Sequence, residues 1–232
     1  MGVKKSFAAA IALCLALSGS AAFAADEPAA IAERCAAAME KIDSFAVKGT
    51  LAQGIEGLTS ISTADVLSAQ VFTNPFKAHV LFAWMGWEME AYVREAAEWP
   101  ALPEGLRAER ARLADGKEAW RLSADIDLRD FVSDEDIEEA VGRVLLPSAR
   151  EVFPRYEPVP ARIDAFVDAQ QDLLLRVEID LSAFLSDMLT RTSPSLPGME
   201  GEAMIGHMRL ALDLGDWNAV PDFEVPAEDK AR

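Results

Sequence analysis

The chain has 232 residues, 51% of them apolar, and a formal charge of −17. That apolar content excludes a disordered acidic tail. The acidic excess disfavours nucleic acid and anionic membrane surfaces as partners, because both select for Lys and Arg. With two cysteines the chain is not a disulfide-stapled scaffold, and a domain of this size buries enough surface to need no staple.

Residues 1–24 read as an export signal. Lys4 and Lys5 give the positive start, residues 7–17 a short apolar stretch, and Ala22-Phe23-Ala24 the small-x-small pattern that signal peptidase cuts. The apolar stretch is shorter than the roughly 20 residues a bilayer span requires. Cys14 follows Leu13 instead of the small residue that precedes a lipidated Cys. The expectation is a cleaved, unanchored protein, periplasmic in a two-membrane cell or secreted from a cell with one. Cleavage after Ala24 leaves 208 residues, expected to form one domain over 25–232. The signal holds two of the 22 basic residues and none of the 39 acidic ones, so the remainder carries −19. Cys35 is then a lone thiol, expected as a buried small hydrophobe.

The mature sequence opens with a helix pattern. Pro28 suits a first turn, and Ile31, Cys35, Met39 and Ile42 recur on one face. From Phe45 the period changes to two: Phe45, Val47, Gly49 and Leu51 alternate with Ala46, Lys48, Thr50 and Ala52, which predicts a strand. A second strand is expected over 58–71, with a break near Asp65. Asn74-Pro75 marks a turn. Strands over 77–84 and 87–94 follow, joined by Met85-Gly86 as a two-residue hairpin loop. Residues 104–113 suggest a short charged helix, and Asp115-Gly116 a turn into a strand over 120–128. Ser133 followed by Asp134, Glu135 and Asp136 predicts a helix start, and Pro147 its end. Strands are expected over 161–169 and 173–181, a helix over 182–189, a loop over 193–198 and a last strand over 203–214. Leu173, Leu175, Val177, Ile179 and Leu181 are expected to share a face. The order predicts an α+β chain, mainly β, with one antiparallel sheet whose apolar face is covered by helices.

Catalytic patterns are absent. Two histidines, His79 and His207, cannot build a close-spaced zinc site, and the sequence has no Gly-x-Ser-x-Gly elbow, phosphate loop or dinucleotide fingerprint. Asp125, Asp127, Asp130 and Asp136 approach calcium-loop spacing, but Arg129 stands where an oxygen ligand belongs and Asp130 where the turn needs Gly. The expectation is no enzyme, no metal and no cofactor. Large apolar side chains on strands stand out instead. Most must form core. Trp84, Trp87, Met89, Val177, Met204 and Met208 are the candidates for lining an adaptable apolar cavity, since Met adapts to ligand shape and ligand sites are concave and apolar.

The layout resembles the bacterial lipoprotein-localisation superfamily, with its LolA, LolB and LppX types. The resemblance rests on the helix leading into Ser44 to Gln53, on Asn74 to Lys77, on Asp115 to Trp120, and on the paired runs Ile163 to Asp168 and Leu173 to Ile179. It extends to the ending Leu212 to Asn218 with Pro221 and Pro226. It implies a single strongly curved antiparallel sheet, an unclosed β-barrel with helices covering the concave face, and a cavity between them for acyl chains. In the carrier branch an internal arginine holds the helical lid; Arg94, Arg121 and Arg176 all lie on candidate strands. The resulting expectation is a non-enzymatic lipid- or lipoprotein-binding carrier or chaperone. Its rival is a module that binds another envelope protein and has a filled core.

Overall fold

The computed structural model describes residues 27–57, 59–84, 87–94, 103–127, 160–192 and 205–226. The chain enters through helix α1, Pro28–Met39, with Pro28 at its first position, where a missing N–H costs nothing. Ile31, Ala32, Cys35, Ala36 and Met39 are buried on one side of it, as the spacing predicts. Ile42 is buried just beyond its end.

Nine strands follow: β1 Ser44–Ile55, β2 Ser62–Thr73, β3 Phe76–Trp84, β4 Trp87–Val93, β5 Arg107–Arg112, β6 Glu118–Asp127, β7 Pro160–Asp168, β8 Leu174–Asp180 and β9 Gly206–Gly215. They form one antiparallel sheet in the order β4-β3-β2-β1-β9-β8-β7-β6-β5, with β4 and β5 as its edge strands among the described residues. A second helix, α2, spans Ser182–Thr192 between β8 and β9. The sheet is curved and does not close.

Register explains the curvature. One cross-strand row runs through all nine strands: Met89, Phe82, Leu67, Gly49, Leu212, Val177, Ala165, Leu122 and Ala108. Its members are apolar or Gly. Eight inter-strand gaps of about 4.8 Å make such a face roughly 38 Å wide, while a helix is only about 10 Å across. Yet Ile31, Cys35 and Met39 of α1 share one core cluster with Val71 and Val80 on one side and Leu122 and Val167 on the other. A flat sheet could not bring both sides to one helix; curling does.

Three elements depart from the sequence expectation. Residues 104–113 are not a helix: Arg107–Arg112 is edge strand β5, paired with β6. Its charges act across the pair, with Arg107 on Asp125 at 2.8 Å and Glu109 on Arg121 at 3.0 Å. The Arg110 guanidinium lies 3.7 Å from the Trp120 ring centroid. A charged edge strand resists pairing with foreign chains. The break foreseen near Asp65 is a bulge: Gly49 pairs with Leu67 but Thr50 with Asp65, so Val66 is the extra residue. Consecutive Val66 and Leu67 are therefore both buried. A second bulge makes Leu175 the extra residue opposite Phe166 and Val167, so Leu174, fully buried, takes the core position expected of Leu175. The helix expected from Ser133, the loop at 193–198 and Met85-Gly86 lie outside the described residues, as does the export signal.

Helix α2 does a strand's work. β9 runs on past the end of β8, and α2 fills the gap: Ser182 Oγ accepts from the Met208 N–H at 3.1 Å and Ser186 Oγ from the Gly206 N–H at 2.9 Å. These donors would otherwise lack partners. Gly206 permits the approach, because a Cβ there would sit 2.5 Å from Leu185 Cγ.

Gly49 is the tightest point of the long row. A Cβ on it would meet Leu67 Cβ at 2.7 Å and Leu212 Cδ2 at 3.1 Å. Gly49→Ala is expected to destabilise the protein by about 1–3 kcal/mol through overpacking, measured as a lower urea midpoint at unchanged slope. Unchanged stability would show that the β1–β2 bulge absorbs the methyl.

Candidate functional site

The inner face of the sheet is the apolar surface on which a ligand site would be built, and most of it is filled. Phe45, Val47, Val71, Val80, Val167, Leu174, Val177 and Leu212 are each exposed by no more than 1%. Of the six cavity candidates, register places Met89, Val177 and Met208 on this face. Val177 stands between Ala165 and Leu212 and is a core residue. Met208, opposite Gln53, is partly buried against the same core. Met89 lies opposite Phe82 and is half-buried. Trp84 and Trp87 pair with each other at the end of the β3–β4 hairpin. Met204 lies outside the described residues. The candidates therefore spread across the sheet from β4 to β8 and do not converge on one point.

Open space lies elsewhere. A cleft of about 600 Å³ opens where β6 ends, β7 begins and α2 begins; its described walls include Ile126, Pro160, Ala161 and Ala183. Ile126 and Ala161 pair on the inner face, while Asp125, Arg162 and Asp180 belong to the outer one, so the cleft straddles the strand ends. Its walls are mainly apolar and its volume lies in the range of small-molecule sites. Met89, Val177 and Met208 are not among its described walls. The sequence signal for it was faint: Ile126 is the lone apolar position between Asp125 and Asp127, a stretch that draws the eye for its carboxylates.

The outer face is ionic. One row alternates in sign across the strands, Asp125, Arg162, Asp180 and Arg209; a second, Glu109, Arg121, Phe166, Arg176, Asp213 and Lys48, alternates except where Phe166 separates two arginines. Arg121 and Arg176 thus face away from the helices, and Arg94 donates to the Pro226 carbonyl at 2.6 Å. Arg34, on α1 itself, lies 3.3 Å from Asp172 in the β7–β8 turn. Asp125 pairs with Arg107, and His79 lies 2.8 Å from Glu90. Among the described residues no group of three or more His, Cys, Asp or Glu is placed to hold a metal ion.

Asp164 is the most enclosed carboxylate of this face, with a side chain only 8% exposed. Arg121 donates to it at 2.7 Å, Arg162 at 3.3 Å, and Ser123 through its hydroxyl. Burial alone would raise its pKa, but the Arg121 and Ser123 hydrogen bonds and the two guanidinium charges outweigh burial and hold it below the ordinary carboxyl range. Cys35 shows the opposite. Burial first, then the Asp172 carboxylate, pushes its thiol up to about 12, so it is a packed hydrophobe and not a nucleophile.

The sequence matches no family model and no curated protein. Among solved structures the fold is similar to the crystal structure of the Mycobacterium tuberculosis lipoprotein LppX. The two are 13% identical, the match covers 84% of this chain and 97% of that one, and the TM-score is 0.42. No helix among the described residues is long and apolar enough to cross a membrane.

Two outcomes test the electrostatics. Cys35 in the native protein is expected to resist a thiol reagent at pH 8 and to react promptly once urea unfolds the chain. Rapid native labelling would contradict its burial. Asp164→Asn is expected to cost about 1–3 kcal/mol at pH 7. Because the folded-state pKa is depressed, the carboxylate's stabilisation is complete above the unfolded value of about 3.9 and is lost as pH falls through the folded one. The gap between parent and variant should therefore narrow in acid unfolding below about pH 4, and a constant gap would show that charge is not the cause.

Proposed function

We propose that residues 1–24 direct export and are removed, and that residues 25–232 act as one domain: a periplasmic, non-enzymatic carrier or chaperone for lipids or lipoproteins. The observation that carries this reading is the apolar-walled cleft of about 600 Å³ at the end of an otherwise filled sheet face. Acyl chains would enter between Ile126, Ala161 and Ala183, beside the helix α2 that roofs the end of β9. Each buried methylene contributes about 0.8 kcal/mol, so binding needs shape and apolar surface, with no catalytic group. Asp125, Arg162 and Asp180 at the strand ends would face water or a polar headgroup. Trp84, Trp87, Met89, Val177, Met204 and Met208 are proposed as further apolar contacts for acyl chains, apart from this cleft. A sheet held by packing and a helix held by side-chain hydroxyls together supply a rigid wall and a separable cover.

A second reading has its own support. The inner face is closed over most of its extent, with eight of its large side chains almost wholly buried. A filled core suits a module that binds another envelope protein and takes no lipid.

Protein purified from its native envelope is expected to carry acyl lipid, detected by extraction and mass spectrometry, and after delipidation to take up a fluorescent fatty acid. Ala183→Trp adds bulk at an exposed position lining the cleft. Displacing two methylenes of the ligand at about 0.8 kcal/mol each should weaken uptake about tenfold while leaving the melting temperature unchanged. Lipid-free protein with no uptake would overturn the carrier reading and leave the protein-binding one.

A further inference from the structure

The chain after β9 turns onto the sheet's outer face. At the turn Trp217 packs on Phe45, ring centroids 5.7 Å apart, and Asn218 Oδ1 accepts from the N–H groups of Asp43 and Ser44. Beyond it the segment crosses β2, β3 and β4. There, register sets Phe72 opposite Lys77 and His79 opposite Tyr92, all on the outer face.

Phe223 fills the slot between them. Its ring meets Phe72 edge-on at 5.6 Å and is tilted against His79 at 5.7 Å and Tyr92 at 6.3 Å. His79 and Tyr92 stack at 4.6 Å and both bond Glu90 Oε1, which fixes the slot's wall. Lys77 supplies the charge. It ion-pairs with Asp222, donates to the Phe223 carbonyl at 2.8 Å, and lies 4.8 Å from the centroids of both Phe rings. At 20% side-chain exposure Lys77 is largely committed to this contact, whereas Asp222 is 78% exposed.

This arrangement has the parts of a peptide-recognition groove: a preformed aromatic slot, one enclosed cation beside it and a donor to the peptide backbone. The segment is not a tenth strand; it is held by one ring, one carboxylate and two carbonyls. We propose that the outer face of β2–β4 is a docking groove for an extended peptide of a partner protein carrying a carboxylate residue followed by an aromatic one, and that Asp222-Phe223 occupies it in cis as a built-in competitor. The cis occupant defines the chemistry, and the Lys77 charge selects the acid. The groove extends the protein-binding reading and rests on it. It lies opposite the apolar face, so peptide and fatty-acid binding can each fail alone.

The test uses fluorescent peptides and the chain truncated after Ala219, which keeps Trp217 and Asn218. Val-Pro-Asp-Phe-Glu-Val-Pro and the generic Ala-Ala-Asp-Phe-Ala-Ala-Pro are both expected to bind it. Binding to the full chain should be at least about tenfold weaker, since a tethered competitor acts at millimolar effective concentration. Lys77→Glu should abolish binding, as should replacing the peptide's Phe by Ala. If circular dichroism shows the truncated chain unfolded, full-length Phe223→Ala takes its place. Failure of a folded variant to prefer Asp-Phe over Asp-Ala peptides would overturn the groove. Binding of the chain's own sequence but not the generic peptide would overturn the partner and leave an intramolecular strap.

Discussion

Everything in this molecule follows from one apolar face that is nine strands wide and belongs to a sheet that does not close. A face of that width cannot be roofed by the single helix that precedes it, so it is buried by bending around that helix. The position of α1, the near-zero exposure of Val80 and Val167 on opposite sides, and the Gly at position 49 are all conditions of the bend. At Gly49, β1 gives up a side chain because Leu67 and Leu212 of the neighbouring strands occupy the space a Cβ would need. The bulge at Val66 lies in the strand directly opposite, and a bulge increases local twist.

The two faces divide the work between packing and solubility. Inside, association is apolar and tolerates a ligand wherever the packing leaves room. Outside, Arg and Asp or Glu neighbour one another across the strands, so opposite charges lie side by side on the described outer face. A pair exposed on both sides, such as Arg107 with Asp125, contributes little. Asp164 differs because its carboxylate is enclosed by Arg121, Arg162 and Ser123 at once. Its neighbours hold the β6–β7 pair in register just below the cleft, so the ionic face stabilises the wall that the apolar face uses.

Much of this was legible in the sequence, and what was not had physical causes. α1 announced itself through Ile31, Cys35, Met39 and Ile42, and β1 through the alternation from Phe45 to Leu51. The resemblance to lipoprotein-localisation proteins implied a curved open sheet, and the structure has one. β5 was misread because Arg107-Ala-Glu-Arg-Ala-Arg112 has helical composition; only its neighbour β6 makes those charges cross-strand partners. Leu175 was placed on the core face because a period of two assumes no bulge, and one extra residue moves Leu174 inward. The resemblance implied an arginine latch without giving it a position; of the three arginines on candidate strands, alternation turns Arg121 and Arg176 outward and Arg94 lies just past the end of β4. Phe223 was invisible as a structural residue because it sits among Pro, Asp and Glu. Nothing local marks a tail that docks on strands roughly 150 residues earlier.

The way α2 meets β9 bears on how this protein survives at high concentration. A sheet that stays open has two obvious edges, and the overhang of β9 past β8 would be a third. Bare amides at Gly206 and Met208 could template the growth of a cross-β stack from other chains. Two serine hydroxyls spaced one helical turn apart satisfy those amides and present nothing for a further strand to extend. The sheet's end is thereby made sterile to self-assembly without being closed, which keeps the strand ends beside it available as walls of an open cleft.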